Sequence, residues 1–215
     1  MISAIIFDVF GTLLHIERRE NPYRQLLRIG IRQGRAISPE DSKTIMTLDG
    51  DLSHAAGLLG IELSIEQLAK LQRMLDTELE SISLFEDALP AIERLRRDGI
   101  KVGLCSNLAK PYCPVVRRLI PDLDGYALSA ELGLSKPDPE IYRTVCAELE
   151  VEPGRIFGPG AQQVLMIGDS KACDVDGPRA SGILGHHLSR RGRDGFRNLH
   201  DFVSAVRSES AGSLS

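Results

Sequence analysis

The chain has no excess of charge of one sign, no long hydrophobic run and no paired cysteines, and each absence excludes a class of function. Among its 215 residues, 26 basic side chains are balanced by 30 acidic ones, so the charge does not favour binding to nucleic acid or to an anionic membrane. The first apolar run is interrupted at Asp8 and fits neither a secretory signal nor a membrane span. We therefore expect a soluble cytoplasmic protein whose partner is a small molecule.

The four cysteines form neither a redox motif nor a metal-binding motif. No two of them have CxxC spacing, and none has a histidine at metal-ligand spacing. Reduced cysteines of this kind are usual in the cytosol. Cys105 ends a predicted strand and is interpreted as a core thiol, not as a nucleophile.

The chain does contain a regular series of short apolar runs, separated by helical patterns. These runs predict strands near residues 2–7, 101–105, 125–129, 164–167 and 183–188. Because strands that alternate with helices are typical of a parallel, doubly wound sheet, the predicted fold class is α/β.

Residues 15–84 interrupt this series, because they contain helical patterns and no convincing strand. Ser38 and Pro39 are typical of an N-cap and a first helical residue, and Ser64 with Gln67 resembles a capping box. The sequence therefore predicts a helical insertion immediately after the first strand.

This insertion divides the chain into parts. A core domain is predicted from residues 1–14 and 85–206, a small all-helical domain from residues 15–84, and a flexible tail from residues 207–215, which are small and polar. The "GPG" at 158–160 is interpreted as a turn, because it lacks the Lys and Ser/Thr of a phosphate-binding loop.

Polar side chains follow four of the predicted strands at their carboxyl ends, where open parallel sheets bind ligands. In chain order they are Asp8 and Thr12, then Ser106 and Asn107, then Lys136 in "GLSKPDPEIY", and finally Asp169, Ser170 and Asp174 in "GDSKACD". An aspartate that attacks phosphorus needs its own charge and that of the phosphoryl group offset, which Mg²⁺ and a lysine do together. These residue types fit that task.

Four motifs in this order resemble those of the haloacid dehalogenase (HAD) superfamily of hydrolases. They are "DVFGT", "SN" after an apolar strand, "KPDPEIY" and "GDSKACDVDGPRASG". The resemblance spans residues 2 to about 206 and implies a Rossmann-like core. The predicted insertion matches the position and length of that family's helical cap.

The resemblance implies a role for each site residue. Asp8 would be the nucleophile, and Mg²⁺ would be held by Asp8, Asp169 and the carbonyl oxygen of Phe10. The transferring group would be oriented by Thr12, Ser106 and Asn107. Lys136 would bridge the charges of nucleophile and substrate, and Asp174 would steady Lys136 or a metal-bound water.

Phe10 departs from the phosphatase pattern of this family. Most of its phosphatases carry a second Asp two residues after the nucleophile, which protonates the leaving group and later activates water. An aromatic residue there is typical of the 2-haloacid dehalogenases, which work without metal and lack an acid at the position of Asp169. Because Asp169 beside Asp8 and Asp174 would concentrate negative charge without a cation, we favour Mg²⁺-dependent hydrolysis of a small phosphorylated metabolite.

Two other functions stay open: hydrolysis of 2-haloacids, and non-enzymatic binding of phosphate and Mg²⁺. A receiver domain is disfavoured, because its phospho-acceptor follows an internal strand and Asp8 follows the first. The sequence leaves the substrate and the oligomeric state open.

Several polar residues outside the motifs have two interpretations. One of them could supply the acid that Phe10 lacks if its side chain reached the site; the candidates are Asp49, Asp51, His54 and His15. The favoured interpretation is that all four are ordinary polar residues of the surface. The basic run "RRGRDGFR" at 190–197 is interpreted as a solvated loop.

Overall fold

The computed structural model describes residues 2–153, 163–192 and 194–212. The predicted turn at residues 158–160 lies outside this range. In chain order the strands are β1 (Ile2–Phe7), β2 (Leu14–Ile16), β3 (Ile82–Leu84), β4 (Lys101–Ser106), β5 (Gly125–Leu128), β6 (Gln163–Gly168) and β7 (Leu184–His187). Five of them form a parallel sheet in the order β5-β4-β1-β6-β7. The predicted α/β class is confirmed, with all five predicted strands present.

The central strand β1 is buried on both faces, as strands of parallel sheets usually are. Successive side chains of a strand point to opposite faces. Accordingly Ile5 and Phe7 belong to one hydrophobic cluster, and Ala4 and Ile6 belong to a second cluster on the other side of the sheet. This burial explains why the run is mostly apolar up to Asp8.

Helices flank the sheet and fill the insertion. They are α1 (Pro22–Arg32), α2 (Glu40–Thr47), α3 (Leu52–Leu58), α4 (Ile65–Glu80), α5 (Ala88–Arg97), α6 (Cys113–Leu119), α7 (Ser129–Leu132), α8 (Pro139–Glu148), α9 (Gly177–Ala180) and α10 (Leu199–Gly212), with a 3₁₀ turn at Lys110–Tyr112 and a π-helical turn at Lys171–Asp176. Helix α10 continues into the segment predicted as a flexible tail. In the part of the chain that the structure describes, no helix is long and apolar enough to cross a membrane.

The insertion contains helices α1–α4, as predicted, but two short strands stand at its ends. Strands β2 and β3 pair antiparallel, with Leu14 opposite Leu84 and Ile16 opposite Ile82. The prediction of no strand in this segment is wrong at its edges. A three-residue strand is too short to show the alternation by which strands are recognised.

The helix start signals of the insertion are largely confirmed. Ser64 Oγ accepts a hydrogen bond from the Gln67 N–H (3.1 Å), and Gln67 Oε1 accepts one from the Ser64 N–H (2.9 Å). Helix α2 begins at Glu40, one residue after the predicted start at Pro39. The Glu40 N–H donates to Ser38 Oγ (3.2 Å).

The insertion packs against the carboxyl-terminal edge of the sheet. Tyr112, which follows β4, donates from Oη to Glu78 Oε2 of α4 (2.6 Å). Ser129, which follows β5, donates from Oγ to the Met46 carbonyl of α2 (2.6 Å). Helices α1–α4 therefore lie over the edge at which the predicted site residues emerge.

Candidate active site

Asp8 lies at the carboxyl end of β1, where neighbouring segments contact its side chain. Lys136 Nζ (2.8 Å) and Ser106 Oγ (3.0 Å) both donate to Asp8 Oδ1. Thr12 Oγ1 lies 3.5 Å from Oδ2, at the limit of a hydrogen bond. All four side chains are buried, and the contacts on Oδ1 fix the orientation of the carboxylate.

Lys136 joins Asp8 to a second buried carboxylate, that of Asp174. Its Nζ lies 2.6 Å from Asp174 Oδ1, and the lysine side chain is 2% exposed. Burial alone would lower the pKa of Lys136, but the charges of Asp8 and Asp174 outweigh burial and raise it above its ordinary value. The lysine is therefore a fixed positive charge in the site.

Asp174 is held rigidly as well. Its Oδ2 accepts a hydrogen bond from the Ser170 N–H (2.9 Å), and the side chain is fully buried. Burial, opposed by Lys136 and reinforced by the charge of Asp8, raises the pKa of Asp174 to about 6. The single charge of Lys136 thus does not fully offset the negative charge around it.

Asp169 follows β6 and lies against the loop that carries Asp8. A Cβ atom on Gly11 would come within 2.1 Å of Asp169 Oδ2, and the φ of Gly11 is +88°. Glycine at this position therefore permits both the turn and the approach of the carboxylate. Desolvation and the charge of Asp8 raise the pKa of Asp169.

The carboxylates of Asp8, Asp169 and Asp174 fit a divalent cation. One oxygen from each lies within 4.8 Å of the others, and hard cations such as Mg²⁺ prefer oxygen ligands. The raised pKa values of Asp169 and Asp174 indicate a concentration of negative charge that a cation would relieve. The structure brings together all the predicted acids of the site.

Asn107 makes a contact that its predicted role does not include. Its Nδ2 donates to the Lys136 carbonyl (2.8 Å), and its Oδ1 accepts from the Lys136 N–H (2.8 Å). The side chain therefore fixes the backbone at Lys136. Its predicted contact with the transferring group stays a prediction.

Phe10 forms part of the wall of a cavity of about 460 Å³ between the insertion and the core. Its ring lies edge-on to the ring of Tyr112, with 5.8 Å between the centroids. Ile45 and Met46 of α2 and Glu78 of α4 line the same cavity. A volume of this size suits a small ligand, and the wall is largely apolar, although two arginines also line it.

Glu78 is a candidate functional residue that the sequence reasoning missed. It is 3% exposed, and besides the Tyr112 hydroxyl it accepts a hydrogen bond from the Asn21 N–H (2.6 Å) at the start of α1. The sequence does carry a signal for the burial of Glu78, namely its helical spacing from Leu71 and Leu75. All three residues are buried on one face of α4.

The four residues considered as replacements for the missing acid are engaged elsewhere. Asp49 pairs with a lysine of the 3₁₀ turn (2.7 Å), and Asp51 caps α3 and pairs with His54 (3.0 Å). His15 Nε2 lies 3.0 Å from a serine hydroxyl of β3. None of these four is among the described residues that line the cavity, whereas Glu78 is.

The interpretation of residues 190–197 as a solvated loop is wrong for Arg190. This side chain is 19% exposed, pairs with Asp87 (2.8 Å) and donates to the Thr12 carbonyl (2.6 Å). Arg193, in the same run, lies outside the described residues.

The chain matches known hydrolases over most of its length. The family model for haloacid dehalogenase-like hydrolases matches residues 2–182. A glyceraldehyde 3-phosphate phosphatase from Methanopyrus kandleri is 25% identical over 211 residues, which cover 90% of this chain and 86% of the relative.

Solved structures share the fold. A HAD phosphatase from Thermococcus onnurineus has a TM-score of 0.64 at 23% identity, covering 95% of this chain and 98% of that one. A HAD-family enzyme from Bacteroides thetaiotaomicron, in complex with magnesium and inorganic phosphate, has a TM-score of 0.58 at 17% identity and coverages of 90% and 97%. A 2-haloacid dehalogenase from Pseudomonas syringae has a TM-score of 0.62 at 20% identity and coverages of 95% and 99%.

Proposed function

The chain belongs to the haloacid dehalogenase-like hydrolase family, and on that premise we propose that this hydrolase is a Mg²⁺-dependent phosphatase acting on a small phosphorylated metabolite. One observation carries the proposal: the Asp8 carboxylate is held by Lys136 and Ser106 beside two further carboxylates. A nucleophile in this setting suits an electrophile that arrives with its own negative charge and a cation.

In the proposed reaction the Asp8 carboxylate attacks phosphorus, so that an Asp8–phosphorus bond forms as the bond to the leaving oxygen breaks. Water then cleaves the aspartyl-phosphate and releases phosphate. Ser106 and Thr12 contact the two carboxylate oxygens and keep the group aligned. Lys136 contributes a charge whose position does not depend on the substrate, which lowers the cost of negative charge in the transition state.

Asp8, Asp169 and the Phe10 carbonyl would hold the Mg²⁺, with Asp174 steadying Lys136. When bound, the ion supplies positive charge that offsets the carboxylates and the phosphoryl oxygens. The clustered acids support this assignment, and so does the magnesium and phosphate complex of the Bacteroides enzyme.

Phe10 sets the expected substrate preference. It has no proton to give, and general acid catalysis is most useful when the leaving group is a basic alkoxide. Acyl phosphates and aryl phosphates, whose leaving groups depart unaided, should therefore react much faster than alkyl phosphates. The cavity agrees with both kinds of leaving group, because the rings of Phe10 and Tyr112 suit an aryl group, and Arg19 and Arg24 in its wall suit a carboxylate.

We further propose that residues 15–84 act as a cap over a core of residues 1–14 and 85–206. The contacts of Glu78 and Met46 with residues that follow β4 and β5 support the packing of such a cap over the core. The proposed enzyme is cytoplasmic and has neither a nucleic acid nor a membrane as partner, in accordance with its balanced charge.

A 2-haloacid dehalogenase is the second candidate function, and Phe10 is the observation that favours it. A halide needs no proton on departure. Against it stand Asp169 and Asp174, because a cation bound to offset their charges would also weaken the attack of Asp8 on carbon.

The deciding experiment is a panel of aryl, acyl and alkyl phosphates and 2-haloacids, each assayed in Mg²⁺ and in EDTA. We expect phosphate release that requires Mg²⁺. Asp8→Asn serves as the control for contaminating phosphatases. Halide release that persists in EDTA, without phosphatase activity, would establish the second candidate. No turnover of any substrate, together with phosphate binding, would favour a binding protein.

A further inference from the structure

Arg190, in the segment after β7, makes an unusually complete set of contacts. Its Nη2 donates to the Thr12 carbonyl (2.6 Å) and to Asp87 Oδ1 (2.8 Å), its Nη1 donates to Asp87 Oδ2 (3.1 Å), and its Nε donates to the Gly11 carbonyl (3.3 Å). The guanidinium carbon also lies 3.7 Å from the centroid of the Phe85 ring. The charge, the planar shape and the donors of the side chain are all used.

These contacts join three separate parts of the chain. Gly11 and Thr12 belong to the loop that begins at the nucleophile, and Phe85 and Asp87 lie where the chain returns from the insertion. Asp87 Oδ2 also accepts a hydrogen bond from the Leu199 N–H (2.8 Å), at the start of α10. A single guanidinium thus fixes the nucleophile's loop relative to one end of the insertion and to the C-terminal helix.

We propose that Arg190 is a positioning residue that holds the loop of residues 8–12 in its reactive geometry. Gly11, whose carbonyl it binds, lies directly against Asp169, and Phe10 precedes Gly11. A shift of the Gly11 and Thr12 carbonyls would therefore displace the Phe10 carbonyl and alter the contact with Asp169. Both of these groups are assigned to Mg²⁺. The assignment of that effect to catalysis rests on the proposed function.

The hydrogen bonds that Arg190 already makes disfavour a role for it as a separate anion-binding site. Arginine has five N–H donors, and the contacts above occupy four of them, two on the carboxylate of Asp87 and two on backbone carbonyls. The guanidinium is therefore largely occupied within the protein.

The test compares Arg190→Met with Arg117→Met. Arg117, on α6, also stacks on an aromatic ring (4.5 Å from the Tyr126 centroid) and pairs with Glu131 (2.6 Å), but it contacts neither the nucleophile's loop nor the carboxylate cluster. It therefore reports the cost of removing a stacked, paired arginine. Arg190→Lys keeps the charge but loses the planar fork, and it is the milder variant if Arg190→Met does not fold.

Two readouts are needed, and the first does not depend on any activity. Hydrogen exchange of peptides that cover residues 8–14 should be faster in both Arg190 variants than in the wild type and in Arg117→Met. In steady-state kinetics at saturating Mg²⁺, kcat should fall by roughly 10- to 100-fold in Arg190→Met, because small misplacements of reacting groups are costly, while KM changes less than about threefold.

The Mg²⁺ concentration for half-maximal activity should also rise in the Arg190 variants and not in Arg117→Met. Unchanged exchange at residues 8–14 in both Arg190 variants would overturn the proposal, as would a kcat equal to that of Arg117→Met despite faster exchange. A wild-type protein without phosphatase activity would instead refute the proposed function, and hydrogen exchange would still test the positioning by Arg190.

Discussion

Replacing Lys136 with methionine would remove the cation that touches both Asp8 and Asp174, at 2.8 and 2.6 Å. The lysine side chain is 2% exposed, so water would not readily take its place. Methionine keeps most of the volume of the lysine stem, and the change is therefore mainly electrostatic. Three carboxylates would be left with oxygens no more than 4.8 Å apart.

The magnitude follows from Coulomb's law. Two unit charges at that separation repel each other by roughly 3.5 kcal/mol at an effective dielectric constant of about 20, and removing one partner of a buried ion pair typically costs ~3–5 kcal/mol. In EDTA at pH 7 we therefore expect the free energy of unfolding to fall by about 3–5 kcal/mol. Bound Mg²⁺ should restore much of this loss.

The loss should depend on pH in a defined direction. The pKa of Asp174 is already raised to about 6, and Lys136 opposes that rise, so its removal raises the pKa further. A group whose pKa is higher in the folded state than in the unfolded state stabilises the fold at low pH, and that stability is lost as the pH rises through the folded value. The deficit of Lys136→Met in EDTA should therefore be smaller at pH 5 than at pH 7.

Urea unfolding at pH 5 and pH 7, in EDTA and in Mg²⁺, measures the stability, and kcat on an aryl phosphate measures the chemistry. Removal of one preorganised electrostatic group typically lowers kcat by ~10²–10³-fold. Lys101→Met is the matched control, because Lys101 pairs with Glu150 (3.0 Å) on the protein surface. A stability loss that is equal at the two pH values, or a kcat within about fivefold of the wild type, would refute this account of Lys136.

Three further predictions concern the same site. Asp8→Asn should abolish turnover of aryl phosphates, because an amide is a far poorer nucleophile than a carboxylate; a rate near that of the wild type would exclude the covalent mechanism. The apparent affinity for Mg²⁺, measured by thermal stabilisation, should increase from pH 4 to pH 7, because the raised pKa values of Asp169 and Asp174 make protons compete with the ion, and a pH-independent affinity would contradict this. Phe10→Asp should increase alkyl phosphatase activity and flatten the dependence of rate on leaving-group pKa; an unchanged dependence would show that the new carboxylate does not serve as the acid.

The predictable part of the site comes from short-range patterns. Asp8, Ser106 and Asp169 each end a strongly apolar run, and the carboxyl ends of parallel strands meet at one edge. The sequence therefore predicts both the fold class and the meeting of these side chains. Asn107 shows the limit of such reasoning, since motif position does not reveal that its amide binds the Lys136 backbone.

The parts that the sequence missed depend on contacts between distant residues. Arg190 binds Thr12 across 178 positions, and Glu78 binds Tyr112 across 34. No local periodicity encodes such pairings. A basic run reads as a solvated loop and an acid on a helix reads as surface, until the partners that bury them are known.

The surroundings of Asp8 combine a charged cluster with a neighbouring cavity that has aromatic residues in its wall, and both relate to the proposed substrate. Lys136 and the cluster of Asp8, Asp169 and Asp174 supply the charges that suit Mg²⁺ and phosphoryl oxygens. Phe10, two residues after Asp8, joins the Tyr112 ring in the wall of the cavity. The one buried acid described in that cavity accepts hydrogen bonds from Tyr112 and from the start of α1, so in this arrangement both of its oxygens are engaged within the protein. A leaving group in this cavity would then depart with its electron pair and without a proton from this acid, and the proposed preference for activated phosphates over alkyl esters rests on that expectation.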